Sequence, residues 1–284
     1  MSPMIEQARA LIFDLDGTLY EDTDHFLHYA ELLKQKAIIE KRTMFKKDYQ
    51  AIMRDNHPLA IGKVYDQKRD VIITVDPFTN QATQVEEWSG ESWSDHEVDV
   101  VYPGCLTYDF ESLIAIGDGW WLPYSVAMHY GVATREARKC YTATKNFMSS
   151  NQFQLTKTRG LKESLHNWKA DKVLILVTNS EAYDVERILK ILELEGIFHR
   201  IVHSAEKPIR TKAIFQEMLE AYGLEPEGIV SIGDNFMNEI APALEMDMKA
   251  IFIHKNVASV SHSNLIEVKS LEELCIDKKT QKRS

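Results

Sequence analysis

The chain has 284 residues, 44% of them hydrophobic, enough to bury a core in one large domain or two modest ones. With 33 Lys+Arg against 43 Asp+Glu the formal charge is −10, which argues against a nucleic-acid surface and favours small molecules as partners. Cys105, Cys140 and Cys275 include no Cys-x-x-Cys, so neither a disulfide framework nor a structural zinc site is expected. The start, MSPMIEQARALIF, has no basic region leading into an apolar run, and no segment approaches the ~18 uninterrupted apolar residues of a membrane span. A cytoplasmic protein without a membrane partner is expected.

The first predicted strand is Ala10 to Phe13, an apolar run that ends in FDLDGTLY. Asp14 and Asp16 stand one residue apart there, and ionised side by side they repel unless a cation or a proton is shared. Residues 20–159 follow, far beyond ordinary loop lengths, so an inserted domain is expected. It opens with one or two amphipathic helices in HFLHYAELLKQKAIIEKRTMFKKDYQAIM. DVIITVDPFTNQATQVEEW then reads as two strands around a turn at Pro77 to Asn80, and Thr134 to Met148 as a helix. Within the insert, His25 and His28 read as a solvated helix face, Gly117 to Gly119 as a turn, and Trp88, Trp93, Trp120 and Trp121 as core before pocket.

Three further apolar runs read as buried strands: KVLILVTNS (172–180), GIVSIGDN (228–235) and KAIFIHK (249–255), with a weaker one at RIVHSA (200–205). Ser180 is a candidate N-cap for a helix with Val185, Ile188, Leu189 and Leu192 on one face and Gly196 as terminator; a second helix runs from Thr211 to Gly223. Strands alternating with such helices predict a parallel sheet covered on both faces, with ligands at the carboxyl ends of its strands. The tail DKKTQKRS reads as disordered.

Those strand ends offer Asp14 and Asp16, Thr178 and Asn179, a lysine after HSAE, and Asp234 with Glu239. The motifs DLDGT, LVTNS and GDNFMNE together resemble the haloacid dehalogenase superfamily of phosphohydrolases, over residues 8–19 and 161–275. The resemblance implies a doubly wound α/β, Rossmann-like core at 1–19 and 160–284, with a mixed α/β cap at 20–159 that chooses the substrate. It implies Mg²⁺-dependent hydrolysis of a small phosphorylated metabolite. Asp14, Asp234, the Asp16 carbonyl and, directly or through water, Glu239 would hold Mg²⁺, an oxygen-only set that suits it. Asp14 would be the nucleophile of an aspartyl-phosphate intermediate and Asp16 the acid and then the base. Thr178, Asn179 and the lysine would bind the phosphoryl oxygens. For that lysine Lys207, followed by Pro208, competes with Lys212 in the first turn of the helix; spacing does not settle it, and Lys212 is narrowly favoured. A phosphomutase, a dehalogenase and a non-catalytic binding module are the alternatives. A dehalogenase needs no acid, so Asp16 weighs against it; an idle module would normally have lost one aspartate.

Overall fold

The computed structural model describes residues 2–150, 153–254 and 261–275; the tail expected to be disordered lies outside them. A short helix, α1 (Pro3–Gln7), leads into β1 (Ala10–Phe13). There follow α2 (Asp24–Lys36), α3 (Arg42–Ile52), β2 (Val64–Asp66), β3 (Val71–Val75), β4 (Ala82–Glu87), α4 (Asp95–Val101), β5 (Leu113–Ala115), α5 (Trp121–His129) and α6 (Thr134–Met148). The chain continues through α7 (Leu161–Lys169), β6 (Val173–Val177), α8 (Ala182–Leu192), β7 (Arg200–Val202), α9 (Thr211–Tyr222) and β8 (Ile229–Gly233). It closes with α10 (Ala241–Glu245), β9 (Lys249–Ile253), β10 (Leu265–Val268) and α11 (Glu272–Cys275). Two compact units result, Met1–Asp22 with Leu155–Ser284, and Thr23–Gln154, so the junctions fall a few residues inside 20 and 159.

The first unit is built on a six-stranded sheet in the order β10-β9-β8-β1-β6-β7, with every neighbouring pair parallel. All of β1 is buried, which is why ALIF carries no polar residue. From β1 the chain winds outward through β6 and β7, then crosses back to β8 and winds the other way. Right-handed crossovers in two directions put helices on opposite faces and place a switch point at β1. This is the doubly wound core expected. Helix α9 ends at a left-handed Gly223 (φ 58) as predicted. Helix α8 does not reach Gly196, because Glu193 adopts the left-handed conformation (φ 59) and ends it at Leu192.

The second unit holds a four-stranded antiparallel sheet, β4-β3-β2-β5, with α2 packed on α5 and α6, and α3 on α5. The reading of His25 and His28 as a solvated face is corrected: His25 is fully buried among Phe26, Trp120 and Phe153, and His28 stacks on Phe147 at 4.2 Å. Trp120 is core, against Tyr29 and Tyr141. Trp88 walls a cavity of ≈ 430 Å³ with Asp48, Asp70 and Tyr130, although its indole N–H and the Tyr130 hydroxyl already donate to Asp48. No described helix is long and apolar enough to cross a membrane.

Candidate active site

Every residue of the site lies in the first unit, at the carboxyl ends of β1, β6, β7 and β8. Asp14 continues the β1 ladder, its N–H donating to Ile232 O at 3.0 Å, so its buried side chain starts from a fixed backbone. The chain then turns through Gly17 (φ 78), and Leu19 N–H closes the turn on Leu15 O at 2.9 Å. Glycine is needed there twice over: the backbone is left-handed, and a Cβ would lie 2.0 Å from Asp234 Oδ2. The Asp234 carboxylate from the end of β8 is thereby brought against the Asp14–Asp16 loop.

Lys207 reaches this loop from the segment after β7. Ser204 (φ 48) and Glu206 (φ 54), both left-handed, bend the chain back across the end of β6, where Ala205 N–H donates to Thr178 O at 3.0 Å. Asn179 then grips the Lys207 peptide at both ends: its Oδ1 accepts Lys207 N–H at 2.7 Å and its Nδ2 donates to Lys207 O at 3.0 Å. The lysine side chain, 2% exposed, donates to Asp14 Oδ1 at 2.6 Å, Glu239 Oε1 at 2.5 Å and Val177 O at 3.0 Å. Asp14 Oδ2 is the less committed oxygen, approached by the Thr18 hydroxyl at 3.5 Å.

One expectation about placement needs correction, that of Lys212; Asn179 and Glu239 do join the cluster. Lys212, favoured over Lys207, is 54% exposed and pairs with Glu245 at 2.9 Å, while its neighbour Thr211 is the buried residue of that turn, its hydroxyl donating to Asn238 O at 2.9 Å. Asn179 lies in the cluster, bonded to the Lys207 backbone through Oδ1 and one Nδ2 hydrogen. Glu239 lies in the same cluster, its Oε1 accepting from the Lys207 ammonium and its Oε2 from Asn235 N–H at 3.1 Å. Glu239 is turned inward by a single π-helical turn, Phe236–Ile240, whose start is capped by Asn235 Oδ1 accepting from Asn238 N–H at 2.8 Å. Thr178 is buried at the end of β6, its Oγ1 accepting Ser180 N–H at 3.1 Å.

Asp16 has partners that sequence reasoning missed. The Tyr20 hydroxyl donates to its Oδ1, and the Ser180 hydroxyl to its Oδ2 at 2.9 Å. Ser180 is therefore not the N-cap of α8; Glu181 occupies that position and makes no side-chain cap bond. The available signal was a second hydroxyl residue beside Thr178 in LVTNS.

Burial pushes the Asp14 carboxyl up, the Lys207 charge pulls it down and the Asp16 charge adds to the rise. Glu239 is pushed up to about 8 by burial against the pull of Lys207, with the Asp14 charge adding. Burial alone would lower Lys207, but the charges of Asp14 and Glu239 outweigh it and hold the ammonium above its ordinary value. We take Lys207 as charged: one ammonium at 2.5 to 2.6 Å from two carboxylate oxygens is stable only as a cation. Burial, then the Asp16 charge, pushes the Tyr20 phenol well above its usual range, so it stays a donor. Such an arrangement can hold a carboxylate nucleophile in place, keep an acid beside it and gather negative charge around one cation.

Among curated proteins nothing matches the sequence. Among solved structures, a HAD-hydrolase from Bacillus subtilis bound to magnesium is 15% identical over 94% of this chain and 96% of its own, with a TM-score of 0.53. A 2-haloacid dehalogenase from Pseudomonas syringae is 13% identical over 94% and 96%, with a TM-score of 0.46. A predicted phosphoglycolate phosphatase from Haemophilus somnus is 17% identical over 87% and 85%, with a TM-score of 0.42. The family model of the haloacid dehalogenase-like hydrolases matches residues 8–247, from the first strand to beyond Glu239, and the chain belongs to that family of hydrolases.

Proposed function

We propose that the protein is a Mg²⁺-dependent phosphohydrolase acting on a small phosphate monoester in the cytoplasm. The observation that carries this reading is the buried Asp14, fixed by Lys207 through Oδ1, with a second, hydroxyl-held carboxylate, Asp16, two residues on. A dehalogenase would need only the first of the two, since a halide departs without a proton.

The donor set fits Mg²⁺. Asp14 and Glu239 share the ammonium of Lys207, while Asp16 and Asp234 lie on and against the Asp14 loop, a concentration of carboxylates that a divalent cation would offset. Among the described residues no three His, Cys, Asp or Glu side chains form a complete ligand group. An ion held by Asp14 and Asp234 with the Asp16 carbonyl would leave its remaining positions to phosphate and water oxygens. When bound, it would neutralise phosphoryl oxygens that otherwise repel an attacking anion.

The chain's own residues supply the rest. A carboxylate oxygen of Asp14 forms a bond to phosphorus as the ester P–O bond breaks, and a proton from Asp16 passes to the departing oxygen, releasing the alcohol. Water then attacks the aspartyl-phosphate and gives its proton to Asp16; the Asp14 carboxylate and inorganic phosphate are freed. Lys207, whose three hydrogens go to Asp14, Glu239 and Val177 O, would act on the phosphoryl oxygens through its charge and Thr178 through its hydroxyl, while Asn179 holds the lysine in register. The test is turnover of p-nitrophenyl phosphate with and without Mg²⁺. It should require the metal and be abolished in Asp14→Asn, whose amide is a poor nucleophile; turnover retained by that variant refutes the mechanism.

A further inference from the structure

We propose that Tyr20 and Ser180 are positioning residues for Asp16: their hydroxyls take one carboxylate oxygen each and fix the direction from which Asp16 meets the leaving-group oxygen. The inference rests on Asp16 being the acid of the proposed phosphohydrolase.

Two segments supply the clamp. Tyr20 is fully buried and lies on the same loop as Asp16, and a backbone bridge joins the two residues. Its phenol is rigid, so the position of the hydroxyl follows from that of the backbone. Ser180 comes from the end of β6, where its N–H is already tied to Thr178 Oγ1. Ser180 precedes the N-cap Glu181 of α8, and its hydroxyl donates to Asp16 Oδ2 at 2.9 Å. With Oδ1 and Oδ2 held from two directions, rotation of the carboxylate is restricted, and proton transfer is sensitive to that angle.

The experiment compares kcat/KM for glycerol 2-phosphate and p-nitrophenyl phosphate in the wild type, Asp16→Asn, Tyr20→Phe, Ser180→Ala and Ser180→Thr. The first substrate leaves as an alkoxide that needs the proton; the second leaves as a stabilised phenolate. Tyr20→Phe and Ser180→Ala should each lose about tenfold more on the alkyl ester than on the aryl ester, with Ser180→Thr restoring the wild-type ratio. If Asp16→Asn shows the leaving-group dependence and the Tyr20 and Ser180 variants lose equally on both esters, or lose nothing, the clamp is overturned and the phosphohydrolase reading stands. If Asp16→Asn itself shows no such dependence, the acid role falls and the clamp falls with it. Should Tyr20→Phe fail to fold, Ser180→Ala carries the test, its side chain being only partly buried.

Discussion

Lys207 and Lys212 are near neighbours in EKPIRTKAIF, yet one is buried on Asp14 and the other is in solvent with Glu245. The difference is made by the bend at Ser204 and Glu206 and by Asn179, none of which a spacing rule detects. Removing Lys207 leaves Asp14 and Glu239 facing each other without a shared cation, at a cost of about 3–5 kcal/mol for a broken buried pair. Lys207→Met should therefore lower both the melting temperature and kcat/KM on p-nitrophenyl phosphate, the latter by roughly 10²–10³-fold, as for loss of a transition-state donor. Lys212→Ala should leave both nearly unchanged; the reverse pattern in the two variants would return the role to Lys212. The aspartates were legible because DLDGT stands where an apolar strand ends. The lysine was not, because a loop residue acquires its place only through tertiary hydrogen bonds.

The central strands β1, β6, β8 and β9 announce themselves as mostly apolar runs, whereas β7 is shorter and partly exposed and gave only the weaker RIVHSA signal. The three-residue strands β2 and β5 escaped because so few residues establish no period. Helix α5 escaped because the stretch from Leu122 to Ala127 is almost wholly buried, so it shows no polar face. The same element decides between core and pocket for one aromatic: Trp120, just before α5, packs on His25, Phe26, Tyr29 and Tyr141. Trp120→Ala should thus destabilise the protein by about 3–5 kcal/mol in chemical denaturation, the cost of deleting a buried indole. Unchanged stability with an altered substrate preference would make it a binding residue instead.

At the scale of the whole molecule, the doubly wound sheet converges its acidic loops on the switch point beside β1, while the chain carries a formal charge of −10. Convergence is visible in the sequence as three motifs, but the resulting charge cluster depends on strand order, which the alternation of elements does not fix. Folding alone assembles the cluster, since Asp14 and Asp234 come from strands that are distant in the chain and adjacent in the sheet. A cation that binds there binds the native state and not the unfolded chain, so it must stabilise the fold by mass action. At a hundred times its dissociation constant the gain is about 2.7 kcal/mol. Mg²⁺ should accordingly raise the melting temperature above its value in NaCl of equal ionic strength, a control that removes general screening of the net negative charge. The increment should vanish in Asp14→Asn and in Asp234→Asn, whatever those substitutions do to the metal-free melting temperature by relieving repulsion. It should survive in Glu239→Gln if the proposed ligands, Asp14 and Asp234 with the Asp16 carbonyl, hold the ion while Glu239 stays bonded to Lys207 and Asn235. An increment equal in all four proteins would show that Mg²⁺ acts elsewhere on the acidic surface, and one lost only in Glu239→Gln would move the ion to the π-helical turn.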